Sequence, residues 1–243
     1  MTHAALIAAL IGVVSCLYAT AGQAGGTAFV AVMAFVSTPA SEMRPTALLL
    51  NVVAAGYATL RLHRDGAVDT KTLALLALPS IATAFIGGLL VLDAREYFAL
   101  TGLLLILAGV LMIFKRNTDS VKTQAVPTFP AVIAGAASGF LSGLTGVGGG
   151  TFLTPLLVVS GWSSAKRAAA LSPPFILCNS AVGLLGVLLA GQRLGPAVPL
   201  YAVGAFVGAV LGSAIALRWM SERTTRYTLA AILLFAGLRL LIR

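Results

Sequence analysis

The hexapeptide Gly146-Val-Gly-Gly-Gly-Thr151 interrupts a long apolar stretch with four glycines. A related hexapeptide, Gly22-Gln-Ala-Gly-Gly-Thr27, interrupts another apolar stretch 124 residues earlier and is identical to it at four of six positions. Clustered glycines weaken a helix and allow backbone conformations that other residues avoid. We name residues 22–27 the first glycine break and residues 146–151 the second. They predict two broken helices at corresponding places in two related halves.

The composition around the breaks is that of a protein embedded in lipid. Of the 243 residues, 59% are hydrophobic and only 9% are charged, and the mean hydropathy is +1.00. A soluble domain carries about 25% charged residues. Because the chain is long enough for several spans of roughly 20 residues each, we predict an all-α polytopic membrane protein in contact with the lipid bilayer.

The net charge of +9 comes from 16 Lys and Arg residues against 7 Asp and Glu residues. Most of the basic residues lie in short loops between apolar stretches, where they set membrane topology. No basic patch is interleaved with aromatic residues, as a nucleic-acid surface would require. We therefore expect no nucleic-acid partner.

Ten apolar segments follow one another, five in each half. They are residues 4–20, 27–40, 46–61, 72–92 and 97–114, then residues 131–145, 150–161, 169–190, 197–217 and 227–242. We predict a first transmembrane repeat over residues 1–116, an inter-repeat loop over 117–129 and a second repeat over 130–243. Asn51 and Asn179 lie 128 residues apart, as do Ala108-Gly109 and Ala236-Gly237, which supports a duplication.

The loop charges predict how the two halves are oriented. If the first two segments of each half form a pair that returns to its starting side, eleven basic residues fall on one side and five on the other. The larger set is Arg61, Arg64, Lys71, Lys115, Arg116, Lys122, Lys166, Arg167, Arg218, Arg223 and Arg226, and the smaller is Arg44, Arg95, Arg193, Arg239 and Arg243. If each pair were one broken span, the split would be nine against seven. The positive-inside rule favours the first arrangement.

Each half then crosses the membrane an odd number of times, so the sequence predicts two inverted repeats. Both termini would lie on the non-cytoplasmic side of the inner membrane. Because the second segment of each half has only about a dozen residues, fewer than a span needs, we predict a re-entrant helical hairpin with a glycine-rich tip in each half. Ten short tilted spans, or eight spans with broken helices, remain open alternatives.

The glycine breaks are the predicted substrate site, because paired interruptions in the two halves of a membrane protein point to a transporter's binding site. Positive φ angles at the glycines would gather free N–H groups, and a helix starting near Thr151 would add the positive end of its dipole. Such a helix start is a seat for an oxyanion. The candidate substrate-binding residues are Gly146, Gly148, Gly149, Gly150, Thr151, Thr145, Ser142 and Asn179 in the second half, and Gly22, Gly25, Gly26, Thr27 and Asn51 in the first.

Each of these features also has a purely structural explanation. Glycines let membrane helices approach closely. Asn51 and Asn179 could form interhelical hydrogen bonds instead of contacting a substrate, because an unpaired polar group in an apolar segment is costly. Arg44 and Arg167, at the mouths of the third segments, could attract anions or could serve only as topology markers.

The sequence carries no sign of an enzyme or of a cofactor. All seven acidic residues lie in loops or at segment ends, and His3 and His63 are peripheral. Proton-driven transporters commonly use Asp, Glu or His within the membrane. Any proton coupling would therefore travel with the substrate or through water. We expect no catalytic residues, no metal site and no cofactor.

The stretch Ala137-Ser-Gly-Phe-Leu-Ser-Gly-Leu-Thr-Gly-Val-Gly-Gly-Gly-Thr-Phe-Leu-Thr-Pro155, followed by Lys166-Arg167 and Asn179, resembles the TauE/SafE sulfite exporter family. This group is also known as the toluene sulfonate uptake permeases. The resemblance implies transport of sulfite, thiosulfate, sulfonates or related anions across a bacterial inner membrane. The first half departs from the family pattern, with Gln23 and Ala24 where the second half has Val147 and Gly148.

We therefore expect a secondary transporter for a small anion, with sulfite or another sulfur oxyanion or organosulfonate as the substrate. A passive anion channel is the alternative, and a non-transporting membrane scaffold is a third. The sequence leaves open a coupling ion and a homo-oligomer.

Overall fold

The computed structural model describes residues 2–20, 25–114, 126–215 and 222–242, and these residues are helical apart from short connections. Ten helices lie within these ranges: α1 (Thr2–Thr20), α2 (Gly26–Phe35), α3 (Ala40–Arg64), α4 (Thr70–Leu89), α5 (Ala94–Phe114), α6 (Thr128–Thr145), α7 (Gly150–Val159), α8 (Ala165–Leu189), α9 (Val198–Ile215) and α10 (Glu222–Leu241). The all-α prediction is confirmed. The order of the helices follows the ten predicted segments, five in each half.

Several boundaries differ from the prediction, and two of them bear on the site. Helix α3 begins at Ala40 rather than near residue 46, so Arg44 lies inside the helix and not in a loop. Helix α2 ends at Phe35, several residues early, because Ser37 adopts a left-handed conformation with a φ of 59°. The inter-repeat loop lies largely outside the described residues.

Five helices of the described part of the chain are long and apolar enough to cross a membrane. They are Ala40–Arg64, Thr70–Leu89, Ala94–Leu111, Thr128–Thr145 and Lys166–Leu189. Large apolar side chains such as Leu78, Phe129 and Ile242 are exposed, as expected of a surface that faces lipid. The molecule is thus built as a polytopic membrane protein.

The helices pack in pairs that correspond between the two halves. Helix α4 packs on α6 as α1 packs on α9, and α4 contacts α8 as α9 contacts α3. The third helices of the two halves, α3 and α8, contact each other, and so do the fifth helices, α5 and α10. If each helix is replaced by its counterpart in the other half, the same set of pairs results. A duplicated chain produces this pattern. The inverted orientation of the halves stays a prediction.

Close backbone approach holds two of these pairs together. On α6, a Cβ added at Gly135, Gly139 or Gly143 would overlap a carbonyl oxygen of α4, and Gly204, Gly208 and Gly212 of α9 face carbonyl oxygens of α1 in the same way. Small residues at four-residue spacing allow membrane helices to approach closely. Gly87 of α4 faces the Phe140 carbonyl oxygen of α6 and Gly12 of α1 faces the Gly204 carbonyl oxygen of α9, so glycines of both halves contribute to the close approach.

Candidate functional site

The second glycine break is a tight turn between α6 and α7. Helix α6 ends at Thr145, and Gly146 and Gly148 both adopt the left-handed region, with φ angles of 77° and 79°. The Gly146 N–H donates to the Ser142 carbonyl oxygen at 2.8 Å. Helix α7 then begins at Gly150. The predicted positive φ angles are therefore present at two of the four glycines.

The start of α7 offers backbone donors. The N–H groups of Gly148, Gly149 and Gly150 have no hydrogen-bond partner within the described part of the chain. The first N–H groups of a helix lack partners inside the helix, and the helix dipole places partial positive charge at the same end. The turn therefore presents an electropositive surface at a buried position.

The first glycine break also leads directly into a helix, but its N-cap differs, because Gly25 is left-handed where the corresponding Gly149 has a φ of −55°. Gly25 adopts a φ of 91° and precedes α2, which begins at Gly26. The hydroxyls of Thr27 and Tyr18 share a buried hydrogen bond of 2.8 Å. Of the candidate residues, Gly22 lies outside the described residues, as do its neighbours Gln23 and Ala24.

The two breaks meet. A Cβ on Gly26 would overlap the Val147 carbonyl oxygen and would lie 2.7 and 2.8 Å from the two amide atoms of Asn51. The Nδ2 atom of Asn51 donates to the Gly146 carbonyl oxygen at 3.1 Å. A Cβ on Gly148 would lie 3.1 Å from the same Nδ2 atom. Asn51 of α3 therefore stands between the two breaks and is hydrogen-bonded to the second.

Helix α8 covers the other side of the second break. A Cβ on Gly150 would overlap the Ser172 hydroxyl, and one on Gly149 would lie 3.0 Å from the Phe175 ring. Asn179 is one turn further along α8, and its Nδ2 atom donates to the Phe175 carbonyl oxygen at 3.0 Å. Gly183, one turn beyond it, packs on Gly143 of α6. Because residues four apart share a helix face, Asn179 faces the end of α6.

Several buried oxygen atoms around the breaks lack partners. Among the described residues these include Asn51 Oδ1, Asn179 Oδ1, Ser142 Oγ and Ser172 Oγ, and all four residues have 0% exposure. An unpaired buried polar group costs about 1–3 kcal/mol. In native structures such groups call for an explanation, and one explanation is a ligand or water that binds at the site. Their concentration at the breaks marks this place as a candidate site.

The two threonines at the second break have different roles. The Thr145 hydroxyl donates to the Leu141 carbonyl oxygen at 2.7 Å and accepts from the Val147 N–H at 3.3 Å, so it shapes the turn. Thr151 is buried in the first turn of α7, 4% exposed. Thr151 is accordingly the better donor candidate of the two.

Arg44 is the main feature that sequence reasoning misplaced. It is 1% exposed, and its guanidinium donates to four backbone carbonyl oxygens. The acceptors are Gly143 at 2.8 Å, Leu90 at 2.6 Å, Gly88 at 2.8 Å, and Gly87. These carbonyls close the C-terminal ends of α4 and α6, where helix dipoles favour a cation. No carboxylate is among its recorded partners in the described residues.

The sequence did contain a signal for this placement. Pro45 and Pro173 lie 128 residues apart, as Asn51 and Asn179 do, so the residue in register with Arg44 is Ser172 and not Arg167. Since Ser172 lies within a predicted segment, the repeat itself indicates that Arg44 lies within one too. An ionisable residue inside a span is a functional candidate by default.

A cavity of about 860 Å³ opens between the α2–α3, α4–α5 and α8–α9 connections. We name this cavity the vestibule. Arg44 and Tyr97 line it, and Tyr97 also donates its hydroxyl to the Thr145 carbonyl oxygen at 3.0 Å. Both residues are thus anchored to the last turn of α6, directly before the second break. They stand between the vestibule and the breaks.

The fold and site describe a polytopic membrane protein with a buried polar centre between two glycine breaks. The family model "Sulfite exporter TauE/SafE" matches residues 5–240. A probable membrane transporter protein of Sinorhizobium fredii is 30% identical over 244 residues, covering 99% of each chain. Another, of Haemophilus influenzae, is 28% identical over 221 residues, covering 85% of this chain and 81% of the relative.

A third probable membrane transporter protein, of Methanocaldococcus jannaschii, is 29% identical over 129 residues, 52% of this chain and 48% of the relative. No solved structure matches. The class is therefore a multi-pass membrane transporter. Within it, the chain belongs to the TauE/SafE sulfite exporter family.

Proposed function

We propose that the protein is a secondary transporter that moves a small anion, a sulfur oxyanion or organosulfonate such as sulfite, across a bacterial inner membrane. The family description names sulfite, and the site chemistry agrees with an anion. We place the substrate between the two glycine breaks, with both termini on the non-cytoplasmic side, as the loop charges indicate.

One observation carries this proposal: the two breaks meet at Asn51, and Gly148, whose N–H group has no partner among the described residues, packs against Asn51 at that point. Backbone N–H groups and a helix dipole bind anions without a charged side chain. Discontinuous helices that meet between two repeats are the usual substrate site of such transporters.

Arg44 adds a positive charge close to this site. Its backbone carbonyl oxygen would lie 3.0 Å from a Cβ on Gly146, so α3 brings the arginine against the second break. Carbonyl dipoles solvate the guanidinium, but they do not cancel its unit charge as a carboxylate would. Because charges interact more strongly in a buried environment than in water, this excess charge favours an anion over a cation at the breaks.

The proposal is tested by sulfite uptake into proteoliposomes containing the Gly148→Ala variant. An alanine at a φ of 79° is strained by roughly 1–2 kcal/mol, and its Cβ would press on Asn51. We expect uptake to fall at least tenfold. Gly66→Ala is the matched control, because Gly66 also has a positive φ but has no neighbour within 4 Å of an added Cβ. Uptake that is equal in both variants would remove the site from the breaks.

The same vesicles separate a transporter from a passive channel. A transporter predicts saturable uptake and counterflow, in which trapped unlabelled sulfite accelerates the entry of labelled sulfite. Arg44 and Tyr97 close the path between the vestibule and the breaks, which fits alternating access better than an open pore. Linear uptake without counterflow would favour the channel.

A further inference from the structure

The two asparagines at the site present hydrogen-bond acceptors rather than donors. The Nδ2 atoms of Asn51 and Asn179 already donate to the Gly146 and Phe175 carbonyl oxygens. A flipped amide would turn its oxygen toward a carbonyl oxygen, so the hydrogen bonds fix which amide atom is which. Both Oδ1 atoms therefore remain without a donor among the described residues, in side chains that are 0% exposed.

A third acceptor lies beside Asn51. The Val147 carbonyl oxygen is directed at Gly26, and it accepts no hydrogen bond from the described residues. The Cβ position of Gly26 lies next to this oxygen and to Asn51 Oδ1 alike. The meeting point of the breaks thus combines free N–H groups of the second break with two free oxygen acceptors, the Val147 carbonyl and Asn51 Oδ1.

This combination selects among anions. An anion whose exposed atoms all accept hydrogen bonds would pair with the N–H groups of α7 but would leave the asparagine oxygens facing its own lone pairs. A ligand that lacks the group a buried site is built to pair with is strongly rejected. An anion that also carries an O–H or N–H group satisfies both sets of atoms.

We propose that the substrate is a monoanion that carries at least one hydrogen-bond donor, which Asn51 Oδ1 and Asn179 Oδ1 accept. This inference rests on the proposed function and narrows its substrate class. Two chemistries meet the requirement: an oxyanion that retains a proton, such as hydrogen sulfite, and a sulfonate with a hydroxyl or ammonium group. In the first case the proton crosses with the substrate, so the transporter needs no carboxylate in its spans.

Two probes of equal charge and similar shape test the proposal. The methylphosphonate monoanion carries one P–OH group, whereas methanesulfonate has only acceptor oxygens. Calorimetric titration of the purified full-length protein should show methylphosphonate binding at least tenfold more tightly, because one unpaired buried acceptor accounts for about that factor. Equal affinity, or tighter binding of methanesulfonate, would overturn the proposal and leave anion binding intact.

Variants connect this preference to the asparagines. Asn51→Leu and Asn179→Leu each remove an acceptor at similar volume, so the ratio of the two affinities should fall toward one. Thr59→Val is the matched control, because it also removes an unpartnered buried oxygen of α3 but lies eight residues beyond Asn51, roughly 12 Å along the helix. A ratio unchanged in both asparagine variants would overturn the assignment of the acceptors.

Transport assays distinguish the two donor chemistries. If the donor is an oxygen-bound proton, sulfite uptake should follow the hydrogen sulfite fraction as pH rises, while methanesulfonate inhibition stays weak. If it is a covalent group, 2-hydroxyethanesulfonate should compete at least tenfold better than ethanesulfonate. Absence of both effects would overturn the proposal even if sulfite is transported. Absence of binding and uptake for every probe would instead overturn the proposed function.

Discussion

Helices α3 and α8 have equal lengths of 25 residues and follow the second segment of their halves, and among their many sequence differences one lies at a buried position beside the second break. Where α3 has Arg44, α8 has Ser172. The arginine is bound by four carbonyl oxygens, whereas the Ser172 hydroxyl is buried without a partner among the described residues.

This difference shows how a duplicated chain can build an asymmetric site. The first half contributes a fixed cation that joins α3 to the ends of α4 and α6. The second half contributes a neutral hydroxyl with no hydrogen-bond partner among the described residues. The breaks share three glycines, while the first has Ala24 where the second has Gly148, so the halves differ in both backbone freedom and side-chain chemistry.

The largest expected effect is the loss of stability when Arg44 is replaced. Arg44→Met should cost roughly 3–5 kcal/mol of unfolding free energy, because it leaves four backbone carbonyl oxygens without the donor that pairs with them. Ser172→Ala should change stability by less than about 0.5 kcal/mol, since it removes a hydroxyl that has no partner. Denaturant titration in mixed micelles measures both. Equal losses would mean that the two positions are equivalent after all.

The next effect compares the two asparagines. Asn51→Leu should cost about 1–3 kcal/mol, because it leaves the Gly146 carbonyl oxygen of the second break unpaired. Asn179→Leu should cost less, since its Nδ2 atom bonds only within its own helix. The same titration compares the two variants. A larger loss for Asn179→Leu would contradict the placement of Asn51 between the breaks.

A smaller effect is expected at Tyr97. Tyr97→Phe removes the hydrogen bond to the Thr145 carbonyl oxygen and should cost about 1 kcal/mol. Because this bond helps to close the vestibule from the breaks, sulfite leak from loaded proteoliposomes should also rise. An unchanged leak would assign Tyr97 a role in stability alone.

The smallest effect concerns the N-cap residues of α4 and α8, Asp69 and Ser164. Asp69 accepts from the Thr72 hydroxyl at 2.8 Å and from the N–H groups of Lys71 and Thr72, and these bonds lower its pKa. Its contribution is therefore complete above the ordinary Asp pKa of about 3.9 and is lost as pH falls through the lower folded-state value. Ser164, which caps α8, does not titrate.

Asp69→Ala and Ser164→Ala should each cost about 0.5–1 kcal/mol, the usual effect of losing a helix cap. Only Asp69→Ala should also weaken the acid dependence of stability. Thermal unfolding in detergent between neutral and strongly acidic pH measures both properties. The cap would be unimportant if Asp69→Ala followed the wild-type curve throughout.

Apolar length and glycine clustering made most of the fold predictable. The ten segments and the left-handed glycines follow from properties of consecutive residues. The position of Arg44 did not, because Arg44-Pro45 looks like a loop in isolation. The buried Arg44 guanidinium is stabilised by hydrogen bonds to carbonyl oxygens that are 43 to 99 residues away in the chain. Only the folded structure brings these groups together.

The candidate site was predictable in its backbone and less so in its side chains. Glycine spacing indicated that the two breaks form one place, and Gly26 does meet Val147. The hydroxyls of Thr27 and Thr145, however, are already hydrogen-bonded, the first to the Tyr18 hydroxyl and the second to backbone groups of Leu141 and Val147. A sequence shows that a hydroxyl is present but not whether a neighbour already uses it.

The most direct test of a single shared site is the stoichiometry of sulfite binding. Calorimetric titration would compare wild type, Gly26→Ala, Gly148→Ala and the double variant, with Gly66→Ala as the control. One shared site predicts one sulfite per chain, a loss of at least tenfold in each single variant, and a double variant weaker by less than the product of the two losses. Two sulfites per chain, with one lost in each single variant, would contradict it.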